Sequence, residues 1–333
     1  MVTARGHIYA YYRRDGLRQR IRGEVGSEEW QAEYNRIHKS FEQGPAEPGI
    51  NPGSLADLIA LFKKSSDFAA LKPSTRQSYA RYMDLLREKY GAHKIRSMPR
   101  EFVLELRDKH AEMPRKANYI ISILRVLLAY ALDRPSRFGI EFNPAVKIKK
   151  LETGPGYPPW PDGLMAAVWD EEKCIPELRL AIATGAFTGQ RISDCIAVTW
   201  KNYDGQQINL VQQKTGVELT IPVHPDLKSM FKGVPRKAVQ ILVDPRGRPW
   251  TRFALGKAVR EFVTAAEYPG YSFHGLRKLA SKNLAETGCT EDEIKAITGH
   301  QTSAMVSHYT KGANQKRLAK SAIKKLSKGR RKT

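Results

Sequence analysis

Hydrophobic positions change period several times along the chain, and each change marks an element. Ile8 to Tyr12 is a short β-prone run, followed by Arg13-Arg14-Asp15-Gly16 and a second run from Leu17 to Ile21. Asp-Gly between two such runs predicts a hairpin. Trp30, Tyr34, Ile37 and Phe41 then recur at helical spacing, behind Ser27 as the opening residue. Gly44 to Gly53, with Pro45, Pro48 and Pro52, reads as a linker. Four helical patterns follow. Leu55, Leu58, Ile59 and Phe62 mark the first. The second is capped by Ser74 and carries Tyr79, Tyr82, Met83, Leu86 and Tyr90. The third runs near Phe102 to His110 and the fourth from Ala117 to Leu132. Asn143-Pro144 and Gly154 to Pro159 form a second linker. Beyond it the chain is mainly helical, with β-prone stretches at Ile208–Gln212, Val217–Val223 and Val239–Val243, and helices resume near Arg252.

These patterns predict a mainly α protein with a small antiparallel β-sheet and three parts. Residues 1–43 form a β-hairpin/helix module, 54–145 a compact helical domain, and 158–333 a larger domain ending in a basic tail. Two readings of the first module stand: an Arg- and Tyr-rich hairpin that follows a phosphate backbone, or a cap on the next domain.

Charge changes the picture. Lysine and arginine number 56 against 34 acidic residues, a net of +22. Residues 311–333 hold ten basic and no acidic residues, and 1–22 hold six basic and one acidic. Such a balance favours a polyanionic partner, nucleic acid or an acidic membrane surface. No apolar run approaches the roughly 18 residues of a membrane span. Met1 to Gly6 lacks the apolar stretch of a secretory signal. The expectation is a cytoplasmic protein with no membrane partner. Cys174, Cys195 and Cys289 are widely spaced and form no Cys-x-x-Cys pair, so neither a disulfide framework nor a zinc site is implied. No metal or cofactor is expected.

Four motifs carry candidate chemistry: Thr188-Gly189-Gln190-Arg191; Lys214 in the turn Gln213 to Gly216 between two β-prone runs; His274-Gly275-Leu276-Arg277; and Gly299-His300 followed by Tyr309. Each residue alone has an ordinary reading as a core, surface or turn residue. Together they suit phosphodiester chemistry. Arg191 and Arg277 offer forked donors for the non-bridging oxygens. His274, three residues before Arg277, shares its helix face and is the better placed base. His300 can add a hydrogen bond to the phosphate. Lys214 can protonate a leaving 5′-oxygen. Tyr309 offers a phenol that could attack phosphorus and form a phosphotyrosyl link. That link conserves the phosphodiester's energy, so rejoining needs no ATP. Asp194 supports the Arg191 turn, and Trp200 and Trp250 belong to the core.

In these motifs, in their order and spacing, the chain resembles the tyrosine recombinase (phage-type, lambda-like integrase) family. The resemblance covers roughly 160–315 closely and 54–150 by architecture. It implies that 54–145 is a helical, SAM-like core-binding domain, and that it forms a clamp around DNA with a catalytic domain at 158–333. It implies a metal-independent site-specific recombinase acting through a Holliday junction, with Arg191, Lys214, His274, Arg277, His300 and Tyr309 as catalytic residues. The implied partners are double-stranded DNA attachment sites, a homo-tetramer on that DNA, and accessory directionality or DNA-bending proteins. The implied setting is the cytoplasm of a bacterial host cell. The part before the core-binding domain favours a phage or mobile-element integrase over a chromosome-dimer resolvase. A type IB topoisomerase and a non-enzymatic DNA-architectural protein are the rival classes. In that family a segment such as the one after Tyr309, with Leu318, Ile323 and Leu326, often docks on a neighbouring subunit; the alternative is a purely electrostatic DNA contact, which Arg330-Arg331-Lys332 favours for the last residues.

Overall fold

The computed structural model describes residues 2–4, 7–14, 17–43, 50–302, 306, 315 and 319–327. The chain divides into two compact units, Met1–Gly154 and Pro155–Thr333.

The first unit opens on three antiparallel strands, β1 (Val2–Ala4), β2 (His7–Arg14) and β3 (Leu17–Ile21), in the order β1-β2-β3. Ala10 lies opposite Ile21 and Arg14 opposite Leu17, as a two-residue connection requires. β1 was not visible in the sequence pattern, because three residues are too few to show alternation. Helix α1 (Glu28–Gln43) begins where the Ser27 hydroxyl accepts the Trp30 amide at 3.1 Å. It lays Ile37, with Trp30 and Tyr34, over Ala10, Tyr12 and Ile21 of the sheet. The side chain of Phe41 lies outside the described residues.

Helices α2 (Leu55–Lys63), α3 (Ser66–Ala69), α4 (Pro73–Tyr90), α5 (Arg100–Asp108), α6 (Pro114–Leu132) and α7 (Pro135–Phe138) complete this unit. α6 is buried on more than one face, with Ile120, Leu124 and Leu128 against Leu58, Ile59, Met83 and Leu86. The expected Ser74 cap is displaced. Lys72 is the N-cap and Pro73 the first helical residue. A proline fits there because its fixed φ is already helical and its missing N–H would have had no partner. Asp57 ties the start of α2 to α7. Its carboxylate accepts from the Gly53 amide at 2.8 Å, and from Arg137 Nε at 2.9 Å and Nη2 at 2.5 Å.

The second unit holds α8 (Asp162–Trp169), α9 (Pro176–Thr188), α10 (Ile192–Ala197), β4 (Gln207–Val211), β5 (Glu218–Pro222), α11 (Pro225–Lys232), α12 (Arg252–Ala265), α13 (Phe273–Glu286) and α14 (Glu291–Thr298). α9 packs along α13 at its centre. β4 and β5 pair antiparallel, with Ile208 opposite Ile221 and Val211 opposite Glu218, so the Lys214 turn projects from their end. Trp250 is buried and Trp200 packs against the same core. Burial pushes the Cys174 thiol up to about 11 and the Cys195 thiol higher, so both stay protonated.

Val239–Val243 is not a strand. It makes single bridges, Gln240 to Thr199 and Val243 to Pro249, and sends Ile241 and Leu242 together into the core. Two consecutive inward side chains break the alternation a ladder requires. Residues 319–327 are helical, with Ile323 and Leu326 exposed; Leu318 lies outside the described residues. Among the described residues no helix is long and apolar enough to cross a membrane.

The Asp57–Arg137 pair yields a stability prediction. Both side chains are almost fully buried, so Arg137→Ala strands a carboxylate away from water. Urea unfolding is expected to show a loss of about 3–5 kcal/mol. A loss below about 1 kcal/mol, the range of exposed pairs, would mean the pair does not secure this unit.

Candidate active site

The second unit gathers five of the six candidate residues. Tyr309, the sixth, lies outside the described residues.

Helix α9 ends on Gly189, in the left-handed conformation at φ +64°. A Cβ there would stand 2.8 Å from the Thr298 methyl, so only glycine lets the chain turn so close to α14. The turn delivers Arg191 as the N-cap of α10. Arg191 Nη1 donates to Gln212 Oε1 at 3.0 Å and lies 3.8 Å from Asp194 Oδ2. That second distance is ion-pair range, not a hydrogen bond. Asp194 works on the neighbouring turn as well, because its Oδ1 accepts the Gln213 amide at 2.9 Å. The Lys214 turn is therefore pinned beside an exposed lysine.

His274 and Arg277 lie on the first turns of α13, with Ser272 as N-cap. Gly275 between them is required by packing. A Cβ there would meet the Pro158 carbonyl at 2.5 Å and the Trp160 ring at 2.8 Å. Trp160 fixes this approach by donating its indole N–H to the Ser272 carbonyl at 2.8 Å. Arg277 is buried, at 2% exposure. Its Nη1 donates to the carbonyls of Gly189 at 2.8 Å and Thr298 at 2.5 Å, and its Nε donates to His300 Nε2 at 3.1 Å.

That last bond sets the state of His300. Arginine can only donate, so Nε2 accepts and carries no proton. The neutral ring then holds its proton on Nδ1 and donates it to Thr298 Oγ1 at 2.7 Å; the Thr298 hydroxyl in turn donates to the Ile294 carbonyl at 2.6 Å. Burial, then the charges of Arg277 and Arg191, push the His300 pKa down to about 3. Both ring nitrogens are thereby engaged with protein groups. One of these groups is the Arg277 guanidinium.

His274 is also held below the ordinary imidazole value, by partial burial and by Arg277, Lys278, Arg191 and Lys214. Because the residue remains exposed, the surrounding cations are the sturdier of these causes. Its ring meets Tyr157 edge-on at 5.8 Å. A neutral histidine among cations can accept a proton, which is the chemistry asked of a base. Among the described residues no group of three or more His, Cys, Asp or Glu side chains is placed to hold a metal.

Sequence reasoning missed Gln190, Gln212 and Thr298. All three are buried, at 1%, 0% and 0% exposure. Gln212 joins Arg191, Gln190, Thr215 and the Thr298 carbonyl. Its partners lie up to 86 residues away, so no local pattern could have marked it.

Residues 164–316 match the phage integrase family. The integrase of Enterobacteria phage 434 is 30% identical over 145 residues, 40% of this chain and 40% of that one. The chain thus spans about two fifths of the length of the curated relative it matches. A lambda integrase dimer bound to a COC′ core site superposes with a TM-score of 0.70 at 19% identity, over 77% of this chain and 95% of that one. A lambda integrase tetramer bound to a Holliday junction gives 0.69 at 18% identity, over 90% and 92%. At such identities the likeness is one of fold. The family match takes in a little under half of the chain.

The depressed His300 pKa carries a pH prediction. Its folded value, about 3, lies below the unfolded value of about 6.5. The unfolded state therefore binds the extra proton first as pH falls. The stability contributed by the neutral ring is complete above about pH 6.5 and declines below it. Between pH 6 and 4, wild type is expected to lose about 1 kcal/mol per pH unit more than His300→Gln in urea titrations. Parallel pH profiles for the two proteins would contradict the neutral, doubly bonded ring.

Proposed function

We propose that the protein is a site-specific DNA recombinase that breaks and rejoins strands through a covalent tyrosine intermediate. The observation that carries this reading is the convergence of Arg191, Arg277, His274 and His300 on one site, with Lys214 on a pinned turn beside it. Two guanidinium groups provide the fork geometry and fixed positive charge that a pentacovalent phosphate demands. In this reading Tyr309 attacks phosphorus, His274 takes the phenolic proton, and the 3′-phosphate becomes bonded to the tyrosine oxygen. The 5′-oxygen departs with a proton from Lys214, and the reverse sequence reseals a strand. Charge neutralisation is assigned to side chains, so the reaction needs no divalent metal.

The substrate is duplex DNA carrying recombination sites. The net charge of +22 supports a polyanionic partner. The solved relatives are described on a core site and, as a tetramer, on a Holliday junction. These support strand exchange by a homo-tetramer of this chain, with accessory directionality or bending proteins, in the cytoplasm of a bacterial host. Residues 54–145 are assigned to core-site DNA and 158–333 to catalysis. The sheet-and-helix module within 1–43 favours a phage or mobile-element integrase, because it adds a further small domain before the helical one.

Two measurements test this. On nicked duplex bearing the repeat that borders the gene, wild type is expected to form an SDS-stable adduct and Tyr309→Phe none. Arg277→Ala is expected to slow adduct formation by about 10²–10³. An adduct with Tyr309→Phe would remove the assignment. Cleavage is expected to be unchanged in excess EDTA; its loss would contradict charge neutralisation by side chains.

A further inference from the structure

We propose that Gln212 is a positioning residue for cleavage, its amide holding Arg191 in register with Arg277 through the Thr298 carbonyl. The proposal rests on the recombinase reading above. Gln212 is fully buried at the end of β4. Its Oε1 accepts from Arg191 Nη1 at 3.0 Å and from the Thr215 hydroxyl at 2.8 Å. Its Nε2 donates to Gln190 Oε1 at 2.7 Å and to the Thr298 carbonyl at 2.9 Å. Every hydrogen-bonding position of the amide is therefore spent.

The Thr298 carbonyl is also the acceptor for Arg277 Nη1. The two arginines are thus joined by a fixed path: Arg191 to Gln212, Gln212 to Thr298, Arg277 to Thr298. Asp194 is too distant from Arg191 at 3.8 Å to set its orientation by a hydrogen bond. The path also reaches the lysine turn. The Gln212 carbonyl accepts the Gly216 amide at 2.7 Å, and its N–H donates to Val217 at 2.8 Å. The surrounding chain is shaped to the side chain. A Cβ on Gly299 would stand 2.6 Å from Gln212 Nε2.

The chemistry of the position selects an amide. A carboxylate would accept from Arg191 but could not donate to Gln190 or Thr298. A thioether would fill the volume and make none of the four bonds. Misplacing a guanidinium by a fraction of an ångström affects the transition state more than binding, because charge on the non-bridging oxygens peaks there.

The test uses the full chain and nicked core-site duplex in two forms: one with the natural scissile phosphate, one with a methylphosphonate in its place. The methylphosphonate lacks one negative charge, so its cleavage depends less on paired guanidinium groups. Gln212→Met is expected to bind both duplexes within about threefold of wild type. Its single-turnover adduct rate on the phosphate is expected to fall about 10- to 100-fold. On the methylphosphonate most of that loss should disappear. A phosphate rate within about twofold of wild type overturns the proposal. So does an equal loss on both substrates, the pattern of a general structural defect. If Gln212→Met does not fold, Gln212→Asn, which keeps the amide but withdraws it by one methylene, is read by the same ratio. Failure of wild type itself to form an adduct would remove the recombinase reading, an outcome distinct from a variant that matches an active wild type.

Discussion

A guanidinium kept from water needs acceptors for its N–H groups, and the choice of acceptor decides what the group can do. Arg277 at 2% exposure donates to two backbone carbonyls and a histidine nitrogen. These acceptors satisfy donors without cancelling a charge, as a carboxylate would. They also come from two separate places: the end of α9, and the turn that closes α14 at Thr298 and runs on to His300. Fixing Arg277 therefore requires that the Thr188–Arg191 turn and the Thr298–His300 turn sit against the first turns of α13. The glycine at 189 and the close packing of Trp160 over Gly275 follow from that requirement.

Crowding positive groups has a second effect, on the histidines. His300 and His274 lie in the field of Arg277 and Arg191, and both are held below their ordinary values. A protonated ring at position 300 would have to donate to Arg277, which has nothing to accept with. Geometry as well as field therefore disfavours protonation. The same field that keeps the rings neutral is the one that would draw in a phosphate.

Much of this was legible in the sequence, and the limits have physical causes. Helices with strong periodicity, such as those around Leu58, Met83 and Leu124, declare themselves because one face must be apolar. The Lys214 turn was visible because β-prone runs flank it. Three elements were misread or missed. Val2–Ala4 is too short to show a period. Ser74 was a plausible cap, but Pro73 has the stronger claim on the first helical position. Val239–Val243 has strand composition yet pays out its hydrogen bonds singly, because both Ile241 and Leu242 are drawn into the core. In the site, the arginines and histidines stood out by residue type and order. Gln190, Gln212 and Thr298 did not, since amides and hydroxyls are ordinary in turns. Their importance arises only when distant segments meet.

The division of labour within the β4–β5 turn follows from the same logic. A group that delivers a proton to a departing oxygen has to reach the substrate, so it cannot be packed in the core. It must nonetheless start from a defined place. The turn meets both demands by anchoring the residues beside the lysine and leaving the lysine exposed. Asp194 holds the Gln213 amide, and Gln212 holds the Thr215 hydroxyl and the Gly216 amide. Because Gln212 is also the acceptor for Arg191, the origin of the lysine and the orientation of the arginine are set by one buried side chain. Under the recombinase reading proposed above, proton delivery at the leaving oxygen and charge stabilisation at the non-bridging oxygens would thus be mechanically linked before any substrate arrives. Preorganisation of this kind lowers a barrier without reorganisation at the moment of reaction.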